Sequence, residues 1–572
     1  MELKMLYQKT EGDVSPARRA WPFWCFLAIL LLSLVPLWLE SYPQRDAAFR
    51  YAPMAEAFRD HDFVYAFHPR TGFLHTFTAG LVAWIFNCGG FLACKISSLL
   101  FIALGAFPLY AIMRRVYSRT MAEICTFIFV LASQLQHLGW SGLRDSHKIF
   151  LIALAASAMV SLYQEREKWS HYLLLGIAAG LGIVTRGDLV LYMSLVFFWG
   201  IIMELKLKAF PWRSLIGCAA LALMSFPAVF LNWYVAGVAV PEIRFAWIFR
   251  KIFHRYPDLT DAMLLFGLGF AAAFLAAWIL RRLIEAGFGK WLAGSGVLLL
   301  AGLLTWSILS PEFYVISSVR SYLGSILKGF FPVYAFVGVV GIGVRIVRKE
   351  WTKEESILAA FLFGHAVLVC SQIILNDGFL YVSYRYLIPA VPLEFGWSVI
   401  GVLFLWEVLT GWIREKHPLL VTSVGYIAFI STVCGFLYDY YNPIINEYLT
   451  MAMSRKNQQY LATLHGIADT IRQDYKGPAE FRPEVDPGLY IPKYNPAILY
   501  LKYWEDKKKT LPDNSRITIS SYLIRGRVTR NLKEADYVVE HYSPLNELPK
   551  GLVLLREVKF GKDEYRVWKK QN

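Results

Sequence analysis

The sequence predicts an α-helical polytopic membrane protein of about thirteen transmembrane helices, with a small extracytoplasmic α+β domain at the C-terminus. Three observations carry this. Hydrophobic residues make up 56% of the 572 positions and charged residues only 18%, and mean hydropathy is +0.42. Apolar runs of roughly 20 residues, long enough for a ~30 Å hydrocarbon core, recur up to residue 439. Basic residues gather between alternate runs, as cytoplasmic loops do. The net charge of +15 belongs largely to those loops, so no nucleic-acid partner is expected.

Residues 1–20 are polar, end in Arg18-Arg19, and are placed in the cytoplasm. The first crossing is 21–39. It is too long for the apolar part of a signal peptide and no small-residue cleavage site follows it. The next apolar stretch, 72–92, is read as a helix on the outer leaflet, because a crossing there would put Arg114, Arg115 and Arg119 on the wrong side. Crossings two to seven are then 94–113, 118–140, 146–163, 171–185, 189–204 and 214–235. An outer segment, 236–261, follows, with the aromatic and basic run IRFAWIFRKIFHRYPD suited to an interfacial helix. Crossings eight to thirteen are 262–280, 291–309, 329–346, 356–375, one from about 384 to 414, and 418–438. Residues 310–328 lie outside, and no internal repeat is visible.

Residues 440–572 form the second domain. A helix is expected at 445–474 and strands at 516–524, 536–540, 551–556 and 564–568. Cys88 and Cys94 are near enough in sequence to pair, and their spacing fits no zinc pattern.

Unusual charge concentrates at the outer ends of the spans. Between Glu40 and Arg70, carboxylates Asp46, Asp60 and Asp62 sit among Arg45, Arg50, Arg59 and Arg70, with His61 and His68 nearby. Arg144-Asp145-Ser146-His147-Lys148, Arg186-Gly187-Asp188, Arg244 to Arg255 (with Arg250 and Lys251), and Arg385 complete the set. Charges beside a bilayer are expensive to desolvate. A solvated hairpin, ion pairs at helix ends and interfacial anchoring would each account for part of the pattern. An outward cavity, acidic at one point and basic around it, would instead collect an anionic head group while keeping one carboxylate as a base.

The order of features resembles a known family. A span precedes an outer loop with Asp46, then Arg50-Tyr51-Ala52, then the turn His68-Pro69-Arg70. An outer amphipathic helix and Arg144-Asp145 at the start of a span follow. Gly182-Ile183-Val184-Thr185-Arg186-Gly187-Asp188 and Arg385-Tyr386-Leu387-Ile388-Pro389-Ala390-Val391-Pro392 also resemble recurring phrases. Over about residues 40–440 the chain is similar to the GT-C membrane glycosyltransferases. The likeness is to the family 39 and 83 branch, which includes the protein O-mannosyltransferases and the lipid A aminoarabinose transferase.

The resemblance implies a GT-C transmembrane catalytic domain over 1–439, with its outer loop at 40–93, and a soluble domain over 440–572. It implies an inverting glycosyltransferase that moves a sugar from a polyprenyl-phosphate-linked donor to a hydroxyl of a lipid, glycan or protein acceptor. Asp46 would be the catalytic carboxylate and Asp145 the second acidic position. Arg50, Tyr51, His68, Arg70, Arg144, Arg250, Lys251 and Arg385 would bind substrate. No cofactor is expected to be required, and no metal-ligand pattern supports a divalent ion. The expected location is a bacterial inner membrane, with membrane lipids as neighbours. A transporter or flippase of lipid-linked saccharides is the rival reading, and a non-catalytic scaffold a weaker one. A carrier would keep its ionisable residues at mid-membrane rather than at the rim.

Overall fold

The computed structural model describes residues 20–38, 47, 51–61, 63–67, 72–205, 207, 210–241, 249–250, 252–288, 291, 332–375, 384–449, 470, 474, 488–490, 527–529, 537–541, 551–560 and 563–570. The ninth expected crossing, the outer segment 310–328, the strand at 516–524 and most of the helix at 445–474 lie outside these residues.

The chain enters the bundle through α1 (Trp21–Leu32) and its short continuation α2 (Leu34–Trp38). Beyond the first loop, α3 (Ala52–Arg59), α4 (Phe63–Ala66) and α5 (Phe73–Phe86) pack on one another and on α6 (Gly90–Val116). With 14 residues, α5 is shorter than the stretch expected at 72–92. Asn87 ends it in the left-handed conformation, φ 45°, which Asn adopts more readily than most residues. Helix α6 finishes on Arg114 and Arg115, cations in the last turn where the helix dipole favours them.

The third expected crossing, 118–140, is not one straight helix. It is α7 (Arg119–Leu131) followed by α8 (Ser133–Trp140), bent by 51°. Ser118 caps α7 by accepting from the Met121 backbone N–H at 3.2 Å. The break falls at Ala132, ψ 89°, and the Gln136 side-chain amide donates to the Phe129 carbonyl across it at 3.0 Å. A side chain that replaces a lost backbone bond makes such a bend tolerable without proline.

Helix α9 (Asp145–Gln164) opens with the polar turn Asp145–Lys148, is largely apolar beyond it and is 83% buried over its spanning window, as a helix at the centre of a bundle must be. Around it stand α10 (Trp169–Thr185), α11 (Gly187–Leu205) and α12 (Trp212–Ala236). Where α10 crosses α12, a methyl group on Gly176 would lie 2.2 Å from the Gly217 carbonyl oxygen. Backbones this close need glycine, the usual means of helix association in lipid.

Helix α13 (Leu259–Leu283) opens with a reciprocal capping box between Asp258 and Asp261 and is only 6% buried over its window. The rest of the membrane part is α14 (Pro332–Val347), α15 (Lys353–Leu375), 3₁₀ turns at Tyr384–Tyr386 and Ile388–Glu394, α16 (Phe395–Lys416) and α17 (Pro418–Leu449). Helix α17 continues past the expected end at 438. Six helices among the described residues are long and apolar enough to cross a membrane, or seven if α7 and α8 count as one bent span. Shorter apolar helices make up the remainder, and the chain is an integral membrane protein.

Toward the α7 end of α6, a buried ion pair joins α14 to α15. Arg345 donates to both oxygens of Glu355 at 3.1 and 3.0 Å. Glu355 also accepts from the Trp397 indole at 3.1 Å and the Thr352 backbone N–H at 2.8 Å.

The C-terminal strands form one five-stranded sheet in the order β2-β1-β3-β5-β4: β1 (Gly488–Tyr490), β2 (Arg527–Thr529), β3 (Tyr537–His541), β4 (Leu552–Phe560) and β5 (Asp563–Lys570). The last three match the strands expected at 536–540, 551–556 and 564–568. Strands β1 and β2, three residues each, are too short to show a period-2 pattern. Across the β4–β5 pair, Arg566 meets Glu557 at 3.0 Å, an opposite-charge cross-strand pair of the favourable kind.

Candidate functional site

The site is built from three chain breaks that meet. The first is the tight turn before α9, where Gly142 has φ 65° and sits against Cys94, so that α9 starts at once with Arg144 and Asp145. Asp145 lies in the first helical turn, 1% exposed, where the helix dipole favours a carboxylate. The second is the extended residue Arg186 between α10 and α11. Its guanidinium donates to Asp145 at 2.5 Å. The third is the 3₁₀ turn 384–386, whose Tyr386 ring lies 4.2 Å from the Arg186 guanidinium and 5.2 Å from that of Arg385.

Two further contacts close this corner. Lys148, one turn along α9 and fully buried, donates its ammonium to the Tyr386 carbonyl at 3.2 Å. Gly72 presses so close to the Thr185 carbonyl that a methyl group would overlap it. The end of the first loop is thereby held beside Arg186.

Next to Arg144 lies Tyr51, its ring 5.7 Å from the guanidinium. Behind Tyr51 stand His75 and His147, with successive ring centroids 4.8 Å apart.

Around Tyr51, Asp145 and Tyr386 the described residues thus gather four cations: Arg186 on Asp145 and Tyr386, Lys148 and Arg385 on Tyr386, and Arg144 on Tyr51. Burial alone would raise the Tyr386 phenol. The cations of Arg186 and Arg385 outweigh it and hold the group below its ordinary value of 10. Guanidinium forks match the oxygens of phosphate and carboxylate groups, and they also stack on aromatic faces, so a cluster of this kind suits an anionic group.

Of the residues singled out in the sequence, Tyr51, Arg144, Asp145 and Arg385 come together here. Asp46, Arg50, His68, Arg70 and Lys251 lie outside the described residues. Arg250 is exposed and contacts Tyr256 in its own turn, donating to the phenol at 2.8 Å. Asp60 pairs with its neighbour Arg59 on the surface at 2.9 Å. Among the described residues no group of three or more His, Cys, Asp or Glu is placed to hold a metal ion. Arg186 and Lys148 stood out as rim charges but not as partners of Asp145 and Tyr386. Tyr386, His75 and the pairing of His147 went unnoticed, because aromatic residues are common throughout this chain and only contacts distant in sequence give these a role.

The family model for dolichyl-phosphate-mannose-protein mannosyltransferases matches residues 68–231. The fold is similar to that of the oligosaccharyltransferase of Archaeoglobus fulgidus in its apo form. That likeness has a TM-score of 0.52 at 14% identity over 91% of this chain and 65% of the other. The same archaeal enzyme, AglB, in complex with an inhibitory peptide and a dolichol-phosphate gives a TM-score of 0.50 at 13% identity, over 92% and 70%. The chain has the GT-C membrane glycosyltransferase fold.

A weaker likeness, TM-score 0.48 at 12% identity, is to ArnT from Cupriavidus metallidurans in the apo state, over 96% and 98% of the two chains. No curated protein matches in sequence. The chain spans between about two thirds and 70% of the archaeal enzyme's length. Within the GT-C fold, the family match covers the Arg144–Asp145–Lys148–Arg186 side of the cluster and stops before Arg385 and Tyr386.

Proposed function

We propose that the protein is an inverting glycosyltransferase that moves a sugar from a polyprenyl-phosphate-linked donor to an acceptor hydroxyl at the outer face of the membrane. The observation that supports this most directly is the cluster in which Arg186 and Arg385 share the Tyr386 ring while Arg186 also holds Asp145. Four cations at the ends of spans suit the phosphate of a lipid-linked donor, whose chain stays in the bilayer. On this reading the acceptor oxygen attacks the anomeric carbon, the bond from that carbon to the phosphate oxygen breaks, and the configuration inverts. The phosphate leaves as an anion of low basicity, so fixed cations rather than a strong acid assist its departure. A carboxylate takes the hydroxyl proton. Asp46 has that role in this proposal, and Asp145 orients Arg186.

The test is direct. Purified protein is incubated with a panel of polyprenyl-phosphate sugars, and lipid products and released polyprenyl phosphate are read by mass spectrometry. Release of polyprenyl phosphate together with a glycosylated acceptor, lost in an Arg186→Gln, Arg385→Gln double variant, is the expected result. Movement of intact donor across vesicle bilayers without transfer would instead identify a flippase.

A further inference from the structure

Two histidines behind the cluster are buried at a cost the fold does not require. His75 and His147 are both 0% exposed, and among the described residues the backbone of Gly142 is what approaches the His75 ring, without full hydrogen-bond geometry. A phenylalanine or leucine would fill such space without burying poorly paired polar atoms, which are costly to desolvate. His147 shows what they are attached to. Its Nε2 lies 3.0 Å from the Thr78 hydroxyl and 3.4 Å from that of Ser97, and the two hydroxyls are 2.8 Å apart.

The Thr78 hydroxyl also lies 2.9 Å from the Leu74 carbonyl and 3.2 Å from that of His75, so it has more acceptors than one proton can serve, and either neutral tautomer of His147 can bond to it. One imidazole therefore ties three helices, α5 through Thr78, α6 through Ser97 and α9 through His147. The tied residue is two positions past Asp145. On its other side His75 stands edge-on between His147 and Tyr51, at 4.8 Å from each ring, and Tyr51 carries the Arg144 guanidinium.

We propose that His147, held by Thr78 and Ser97, and His75, wedged against Tyr51, are positioning residues for the phosphate site. They fix the first turn of α9 and the Tyr51–Arg144 pair. This rests on the reading of the cluster as a polyprenyl-phosphate site. Neutral imidazoles suit the task, since they supply a donor and stiff rings beside Arg144 without adding charge.

The experiment measures binding of undecaprenyl phosphate to full-length protein in detergent, alongside thermal unfolding. His147→Leu, the pair Thr78→Val with Ser97→Ala, and His75→Leu are each expected to weaken binding by about tenfold. His147→Gln, whose side-chain N–H can reach the same hydroxyls, should stay within about threefold of the unaltered protein. Undiminished binding in the Leu and hydroxyl variants overturns the proposal. So does equal weakening in His147→Gln and His147→Leu that tracks a common fall in Tm, because that is the mark of a merely structural role. If His147→Leu does not fold, the hydroxyl pair, which leaves both rings in place, decides alone. No binding by the unaltered protein would be a failure of the phosphate-site reading itself, and so is distinct from these outcomes.

Discussion

Two buried arginine–carboxylate pairs lie at different ends of the bundle, and they are built differently. In the Arg345–Glu355 pair the carboxylate takes two guanidinium donors, an indole N–H and a backbone N–H. Its acceptor sites are filled by the protein, as a buried charge that only holds helices together requires. In the Arg186–Asp145 pair a guanidinium N–H of Arg186 meets the carboxylate, and Arg144, Lys148 and Arg385 contact the neighbouring Tyr51 and Tyr386. The first carboxylate is enclosed by these four donors. The second sits where cations gather at the meeting of three chain breaks, and that concentration, rather than burial or ion pairing alone, makes it the candidate site.

The largest expected effect belongs to the proposed base. Asp46→Asn keeps size and polarity but removes the charge of the proposed base, and turnover should fall about a hundredfold or more with folding intact. Asp60→Asn, on the surface beside Arg59, should change it far less. If Asp46→Asn turns over normally while Asp60→Asn is inactive, the base lies elsewhere in the loop.

At the other end the comparison predicts the opposite split. Glu355→Gln removes the more buried of the two carboxylates that Arg345 holds, leaving Glu350 at 3.0 Å, and should lower stability by about 3 kcal/mol, read as a drop in Tm, while turnover per folded molecule holds. A stable Glu355→Gln with altered kinetics would erase the distinction between the two pairs.

Intermediate effects concern the shared ring. Arg385→Gln should raise the donor KM about tenfold, the scale of one lost charged contact, and leave Tm unchanged. Tyr386 adds a pH signature. Its phenol is held below 10 by Arg186 and Arg385, so rising pH creates a phenolate between the two cations and weakens anion binding. Tyr386→Phe should move that alkaline loss to higher pH. An unmoved limb would assign it to another group. Smallest of all, Arg250→Gln should raise KM by roughly twofold, since Arg250 is exposed and already engaged with Tyr256.

Hydropathy and basic loops made the helical architecture legible, because a bilayer imposes both length and charge asymmetry. They did not reveal the bend at Ala132, where a glutamine rather than a proline makes the break tolerable. The charged ends Arg144-Asp145, Arg186 and Arg385 were legible as a rim, since charge beside lipid is rare. How they combine was not. Asp145 meets Arg186 41 positions away, and no local pattern encodes that contact. His75 and His147 look like any residue of an apolar helix until Thr78, Ser97 and Tyr51 are seen around them.

The bond from Lys148 to the Tyr386 carbonyl joins groups 238 positions apart, and this orders the events of biosynthesis. At about 5–20 residues per second, synthesis of the intervening chain takes on the order of tens of seconds. Throughout that interval α9 is already made and its lysine has no Tyr386 carbonyl to hold, so the cation cluster is unfinished. A ribosome halted anywhere in between leaves a membrane-embedded fragment that lacks Arg385 and Tyr386. On the proposed reading, such a fragment competes poorly for the lipid carrier. On that reading the capacity to capture a donor appears only after about two thirds of the 572 residues have been made.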